Sequence, residues 1–200
     1  GRTTWTNVTG TYTQGLADGT GPTLTIRQNG ATYNSSSAKA IKAICAVTVY
    51  GGETDVYTKS SGGEGLESKT SIDIQGGKHY FQCYDDCMNS AGKIYFNGGV
   101  TVCWSYGNDA IDSNAGTTGA ITIGNGVAFA YTTKGSPEEG FDCDNNSYIQ
   151  ITGTGIGISA GGSQGGGGGP GGEPRMRCSP SLLSPRCWGN GSPASIWRQP

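Results

Sequence analysis

Residues 110–131 read Ala110-Ile111-Asp112-Ser113-Asn114-Ala115-Gly116-Thr117-Thr118-Gly119-Ala120-Ile121-Thr122-Ile123-Gly124-Asn125-Gly126-Val127-Ala128-Phe129-Ala130-Tyr131. The stretch opens with a small, an apolar, a polar and a small residue. A three-residue alternating strand follows, then an Asn-Gly turn, then a second alternating strand. The same order recurs along the chain. Its four-residue start appears as Ala40-Ile41-Lys42-Ala43, Gly65-Leu66-Glu67-Ser68, Cys87-Met88-Asn89-Ser90, Ala110-Ile111-Asp112-Ser113 and Gly140-Phe141-Asp142-Cys143, at spacings of 25, 22, 23 and 30 residues. Each start is followed by a period-2 strand: Val47-Thr48-Val49, Ile72-Asp73-Ile74, Ile94-Tyr95-Phe96, Ile121-Thr122-Ile123 and Ile149-Gln150-Ile151. A turn closes each strand, at Gly51-Gly52, Gly76-Gly77, Gly98-Gly99, Asn125-Gly126 and Thr154-Gly155.

Strands this short cannot bury a face alone. Stacked coils about 4.8 Å apart pair every backbone group with the coil above or below. The repeat therefore predicts an all-β, right-handed parallel β-helix of about five to six coils. Residues 39–160 form the solenoid in this reading. Residues 1–38 hold an N-terminal strand or cap and a degenerate first coil around Leu24-Thr25-Ile26. Residues 161–172 are a Gly-rich linker. Residues 173–200 are a tail rich in Pro, Arg and Cys. A β-sandwich, the usual reading of a Gly-rich all-β chain, would not repeat one four-residue column at near-constant spacing.

Composition agrees. Gly supplies 37 of 200 residues, against an average near 7%, which excludes a long-helix protein. Net charge is only −2, so nothing draws the chain toward nucleic acid. No apolar run approaches the length of a membrane span. Seven Cys point to an oxidising compartment and leave at least one thiol unpaired. Cys83–Cys87 and Cys178–Cys187 are candidate disulfides. Four sequons, at Asn7, Asn34, Asn145 and Asn190, are candidate glycosylation sites.

Parity in the second strands separates two faces. Thr101, Cys103 and Ser105, then Ala128, Ala130 and Thr132, are small. Val100, Val102 and Trp104, then Val127, Phe129 and Tyr131, are large, as are Ile156 and Ile158. A narrow interior accepts the small set, so the large set faces outward. Tyr80, Trp104, Tyr106, Phe129 and Tyr131 then form an apolar and aromatic outer face, the kind of patch that marks an interface or ligand surface.

From about Ala40 to Gly162 the chain resembles the β-helical carbohydrate-binding domain-containing proteins of bacterial surfaces. The resemblance is carried by Gly63-Glu64-Gly65-Leu66-Glu67-Ser68-Lys69, Tyr84-Asp85-Asp86, Asn108-Asp109-Ala110-Ile111-Asp112-Ser113-Asn114 and Pro137-Glu138-Glu139-Gly140-Phe141-Asp142-Cys143-Asp144-Asn145-Asn146. It implies a non-catalytic extracellular or cell-surface β-helix with a sugar ligand. It does not extend to the Arg, Pro and Cys of the tail.

Candidate chemistry divides in three. Sugar rings stack on aromatic side chains while polar neighbours take the hydroxyls, and Trp104, Tyr106, Tyr131 and Asn108 supply both. Glycans, identical subunits, or both are then the partners, and an N-terminal strand donated to a neighbour would build a fibre. Acids stack in two columns, Glu64, Asp86, Asp109, Glu139 and Glu67, Asn89, Asp112, Asp142, with Lys39 and Lys42 one coil earlier. One answer to their repulsion is Ca²⁺ held by Asp86, Asp109, Asp112, Glu139 and Asp142. The other is a solvated corner ladder with Lys39–Glu64 and Lys42–Glu67 pairs. Catalysis is the third. His79 falls at an inward position, no triad is evident, and no Arg lies between Arg27 and Arg175 to serve a lyase. Asp112 and Asp142 could serve a glycosidase, but their place in a regular column favours a structural role.

Overall fold

The computed structural model describes residues 12–14, 23–27, 39–59 and 61–161 of the 200. The chain winds as a parallel β-solenoid of about five turns. Strands β1 (Tyr12–Gln14) and β2 (Thr23–Arg27) lie at its start. The first three-sided coil has β3 (Lys39–Ala43), β4 (Val47–Val49) and β5 (Glu53–Tyr57). The second has β6 (Glu64–Ser68), β7 (Ile72–Ile74) and β8 (Lys78–Cys83). The third has β9 (Met88–Ser90), β10 (Ile94–Phe96) and β11 (Val100–Ser105). The fourth has β12 (Ile111–Ser113), β13 (Ile121–Ile123) and β14 (Val127–Thr132). The fifth has β15 (Phe141–Asp142), β16 (Ile149–Ile151) and β17 (Ile156–Ala160), with a 3₁₀ turn at Asn146–Tyr148.

Three parallel sheets result. The first runs β1-β4-β7-β10-β13-β16, the second β17-β14-β11-β8-β5-β2, the third β15-β12-β9-β6-β3. The five expected alternating strands are β4, β7, β10, β13 and β16, residue for residue. At the N-terminal end β1 pairs with β4 and β2 with β5. Both therefore extend sheets of the solenoid by one rung.

The four-residue start of each repeat has a physical role at every position. Its apolar members Leu66, Met88, Ile111 and Phe141 enter the core. Its closing Ser68, Ser90 and Ser113 are fully buried and in register. They turn the corner into the next sheet. Ser68 Oγ accepts from the N–H groups of Thr70 (3.1 Å) and Ser71 (3.0 Å) and donates to the Cys45 carbonyl at 2.8 Å. Ser113 Oγ donates to Gly92 O at 2.9 Å. These bonds satisfy buried backbone groups that no strand can reach at a bend. At the opposite corner Ser105 Oγ donates to Asp85 O at 3.0 Å and accepts from Asn108 N–H at 3.2 Å.

The core is a stack of aliphatic rungs. Ile72 and Ile74, Ile94 and Phe96, and Ile121 and Ile123 lie in register and are essentially inaccessible. The small inward set of the second sheet is also as expected: Thr101, Cys103, Ser105, Ala128, Ala130 and Thr132 are all buried. Earlier coils differ, because Val56 and Phe81 point inward there. Phe81 fits because Gly65 faces it. A Cβ on Gly65 would stand 2.7 Å from Phe81 Cδ1 and 2.4 Å from the Cys87 carbonyl oxygen. Core volume is thus balanced across sheets, not within one. At the turn before β8, Gly77 has φ +95° and a Cβ there would meet Gly52 O at 2.4 Å. Only glycine meets both conditions at low cost.

His79 is a core residue. Nε2–H donates to Gly76 O at 2.7 Å, leaving Nδ1 to accept from Thr54 Oγ1 at 3.1 Å. Burial holds its imidazole below the ordinary value. The Cys83–Cys87 disulfide is not formed. Both are free, buried thiols. Inward strand and corner positions place them as small core side chains, and the Cys87 thiol donates to the Phe81 carbonyl at 3.5 Å. Burial pushes both thiols well up, which makes them poor nucleophiles. Cys178–Cys187, the Gly-rich linker after Gly161 and the tail lie outside the described residues, as do Asn7, Asn34 and Asn190.

Candidate functional site

The outer face of the second sheet is built by register. Its outermost column stacks Tyr57, Gln82, Trp104 and Tyr131 on successive coils. The middle column stacks Asp55, Tyr80, Val102 and Phe129. The third stacks Glu53, Lys78, Val100 and Val127. The sheet is therefore polar toward the N-terminal coils and apolar toward the C-terminal ones. Tyr80 and Val100 are exposed, at 37% and 43%. Trp104, Tyr106, Asn108, Phe129 and Tyr131 are half-buried. Ile158 shares the outward register, yet it is buried outside the main core cluster.

Three of the expected residues meet as one aromatic group. The Trp104 ring lies 5.5 Å from Tyr106 at a tilt of 48°, and 5.9 Å from Tyr131 at 43°. These are favourable separations for tilted rings. The loop after β11 holds Tyr106 and Asn108 in place. Tyr106 N–H donates to Cys83 O at 3.0 Å, and Thr133 Oγ1 donates to Tyr106 O at 3.3 Å. Asn108 O accepts from Thr132 Oγ1 at 2.6 Å, which leaves its side chain unconstrained by that bond. Trp104 Nε1 is buried without a hydrogen-bond partner. The indole thus offers the surface apolar carbon, not its N–H. Burial raises the Tyr106 phenol, with Tyr57 and Tyr80 as charged-form neighbours, so it remains an O–H donor. Tyr80 O–H donates to Gln82 Oε1 at 3.3 Å. Tyr57 and Gln82 were missed in the sequence reading. Counting five residues on from Gly51-Gly52 would have found Tyr57, because Trp104 stands at the same count after Gly98-Gly99.

A tilted aromatic group that includes two phenols suits the apolar face and hydroxyl edge of a sugar ring. A family model described as "Carbohydrate-binding domain-containing protein" matches residues 8–110, or 103 of the 200 residues. The chain belongs to this family. As a carbohydrate-binding domain-containing protein, it carries Tyr57, Tyr80, Gln82, Trp104, Tyr106 and Asn108 within the matched segment, and Phe129 and Tyr131 beyond it. The match starts earlier than the resemblance read from Ala40 and ends at the fourth repeat. No curated protein and no solved structure matches the chain. Among the described residues, no helix is long and apolar enough to cross a membrane.

The acidic columns of this family member lie on the third sheet, at Glu64, Glu67, Asp112 and Asp142, and at the corner leading into it, at Asp86, Asp109 and Glu139. Glu64, Glu67, Asp86, Asp109 and Glu139 are buried rather than solvated, which corrects the solvated-ladder expectation. Stacking of successive coils buries the corner, which alternation within one strand does not reveal. Lys39 pairs with Glu64, and Lys69 and Lys42 pair with Glu67, the latter at 3.0 Å. Burial pushes the Glu67 carboxyl up, but Lys69 and Lys42 outweigh it and bring it below the ordinary value.

The five residues read as a calcium set do not form a cage. Asp86 Oδ2 accepts from Asn89 Nδ2 at 2.9 Å, Asp112 Oδ2 from Asn114 Nδ2 at 2.8 Å, and Asp142 Oδ1 from Asp144 N–H at 3.0 Å. Asp109 Oδ1 accepts from Glu139 N–H. Among the described residues no three carboxyl, imidazole or thiol groups gather to hold a metal ion. The donor set does not fit Ca²⁺, which takes six to eight converging oxygens. Asn145 is exposed, its Oδ1 accepting from Ser147 Oγ at 2.7 Å.

Proposed function

We propose that the outer face of the second sheet contacts carbohydrate through Trp104, Tyr106 and Tyr131, with Tyr80, Phe129 and Asn108 beside them. The observation that carries this reading is the tilted, half-buried three-ring group on the outer face of a member of a carbohydrate-binding family. The protein acts as a non-enzymatic, extracellular structural or adhesive β-helix, a subunit of a surface or fibrous assembly. A monomeric carbohydrate-binding module is the alternative. A polysaccharide lyase or glycosidase is the less favoured one, because Asp112 and Asp142 belong to the third sheet and not to the aromatic face.

The test is a glycan array with the wild-type protein and Trp104→Ala. A stacked aromatic anchor contributes roughly 2 kcal/mol, so the variant should lose about 30-fold in affinity while its melting temperature stays near wild type. Undiminished binding by Trp104→Ala would place the sugar elsewhere. Assembly is read by electron microscopy of the purified chain. Head-to-tail polymers that disappear on deletion of residues 1–14 are expected for a fibre subunit, whereas a monomer at high concentration favours the module.

A further inference from the structure

Asp86 sits in the corner between β8 and β9, with 2% of its surface accessible. Its Oδ2 is bonded to Asn89, while Oδ1 is buried with no hydrogen-bond partner. Acids stand near it on its own coil and on both neighbouring coils. Glu64 lies on the coil before, Asp85 in its own turn, and Asp109 and Asp112 on the coil after; the buried Cys83 thiol is also near. The lysines serve other partners, since Lys39 is held by Glu64, and Lys42 and Lys69 by Glu67. Among the described residues no set of carboxyl, imidazole or thiol groups converges there to hold a metal ion. A carboxylate in that position would be an unpaired buried charge with an unsatisfied oxygen, which a protein avoids by neutralising the group. A proton on Oδ1 turns an orphaned acceptor into a donor toward the neighbouring carboxylates.

We propose that this corner is a proton-binding site, centred on Asp86 and shared with Asp109 and Asp112, that makes the solenoid more stable in mildly acidic than in alkaline medium. Burial first, then repulsion from Asp112, raises the Asp86 carboxyl to about 9. Burial likewise raises Asp109 and Asp112 to about 7. The folded state holds protons that the unfolded chain releases near pH 4. The stabilisation is complete below that value and is lost as pH rises through about 7 to about 9. Other groups mark the useful window. His79, held neutral by burial, opposes folding below about pH 6.5, and the buried Cys83 and Cys87 thiols add their own loss above about pH 8.5.

The experiment is thermal melting of the full chain between about pH 7 and about pH 8.5, for wild type, Asp86→Asn and Asp112→Asn, with and without added Ca²⁺. Wild type should melt about 3 °C or more higher at the lower pH. Asp86→Asn should melt higher than wild type at the upper pH and lose most of the slope. Infrared difference spectra at about pH 8 should show a protonated carboxyl band in wild type that is strongly reduced in Asp86→Asn. A flat wild-type profile, or a slope that survives in Asp86→Asn, overturns the proposal. So does a Ca²⁺-dependent rise in wild type that Asp86→Asn abolishes, since the site would then hold a cation. If Asp86→Asn does not fold, a full wild-type slope in Asp112→Asn together with no protonated carboxyl band in wild type overturns it.

Discussion

Lys39→Met is expected to destabilise the solenoid by about 3–5 kcal/mol at neutral pH, the usual cost of removing one partner of a buried ion pair. Lys39 and Glu64 are both buried, at 6% and 7% exposure, and stack directly across β3 and β6. Removing the ammonium leaves the Glu64 carboxylate buried beside Glu67 and Asp85. Burial already raises this carboxyl above its ordinary value even with Lys39 present. The variant can escape its penalty only by protonating Glu64. Its deficit relative to wild type is therefore smaller in acid and largest above the carboxylate range. Lys39→Met with Glu64→Leu should recover most of the loss, because an apolar pair of similar volume carries no desolvation cost. Urea unfolding at mildly acidic and neutral pH measures both effects. A loss below about 1 kcal/mol for the single variant would mean the pair behaves as a solvated surface bridge.

Phe96→Ala is expected to cost about 3–5 kcal/mol, and Phe129→Ala much less. Phe96 is inaccessible and lies in register between Ile74 and Ile123 on the inner face of the first sheet. Its loss leaves a cavity that neighbours pinned by coils on both sides cannot close. Phe129 occupies the outer face of the second sheet and is only half-buried. The same truncation therefore separates inside from outside. Denaturant unfolding of the two variants checks it, and equal losses would refute the assignment of faces. For a domain of this size each 1 kcal/mol corresponds to roughly 2–4 °C in melting temperature.

The repeat was readable because a solenoid writes its geometry locally. Each coil must turn the same corners, so Ser68, Ser90 and Ser113 recur at the same step with the same buried register. Inward strand positions must be apolar or small, which made Ile94-Tyr95-Phe96 and its counterparts legible to the residue. Parity also gave the aromatic face, since Trp104 and Tyr131 could not fit where Cys103 and Ala130 do. Tyr57 escaped because β5 and β8 carry Val56 and Phe81 on the inner face and so lack the small-residue signature that drew attention to β11 and β14.

The amino-acid order by itself determined the coil, its period, its inner and outer faces and its stacked columns, because each follows from residues within one or two turns of the chain. The tertiary structure alone decided how deep those columns lie. Asp86 and Glu64 are buried at the corner of the stacked coils, and neighbouring coils set the tilt of Tyr106 and Tyr131 against Trp104. The same packing keeps Cys83 and Cys87 as core thiols. Depth and tilt depend on how much side-chain volume adjacent coils bring to one place, and alternation along a single strand carries no record of that sum.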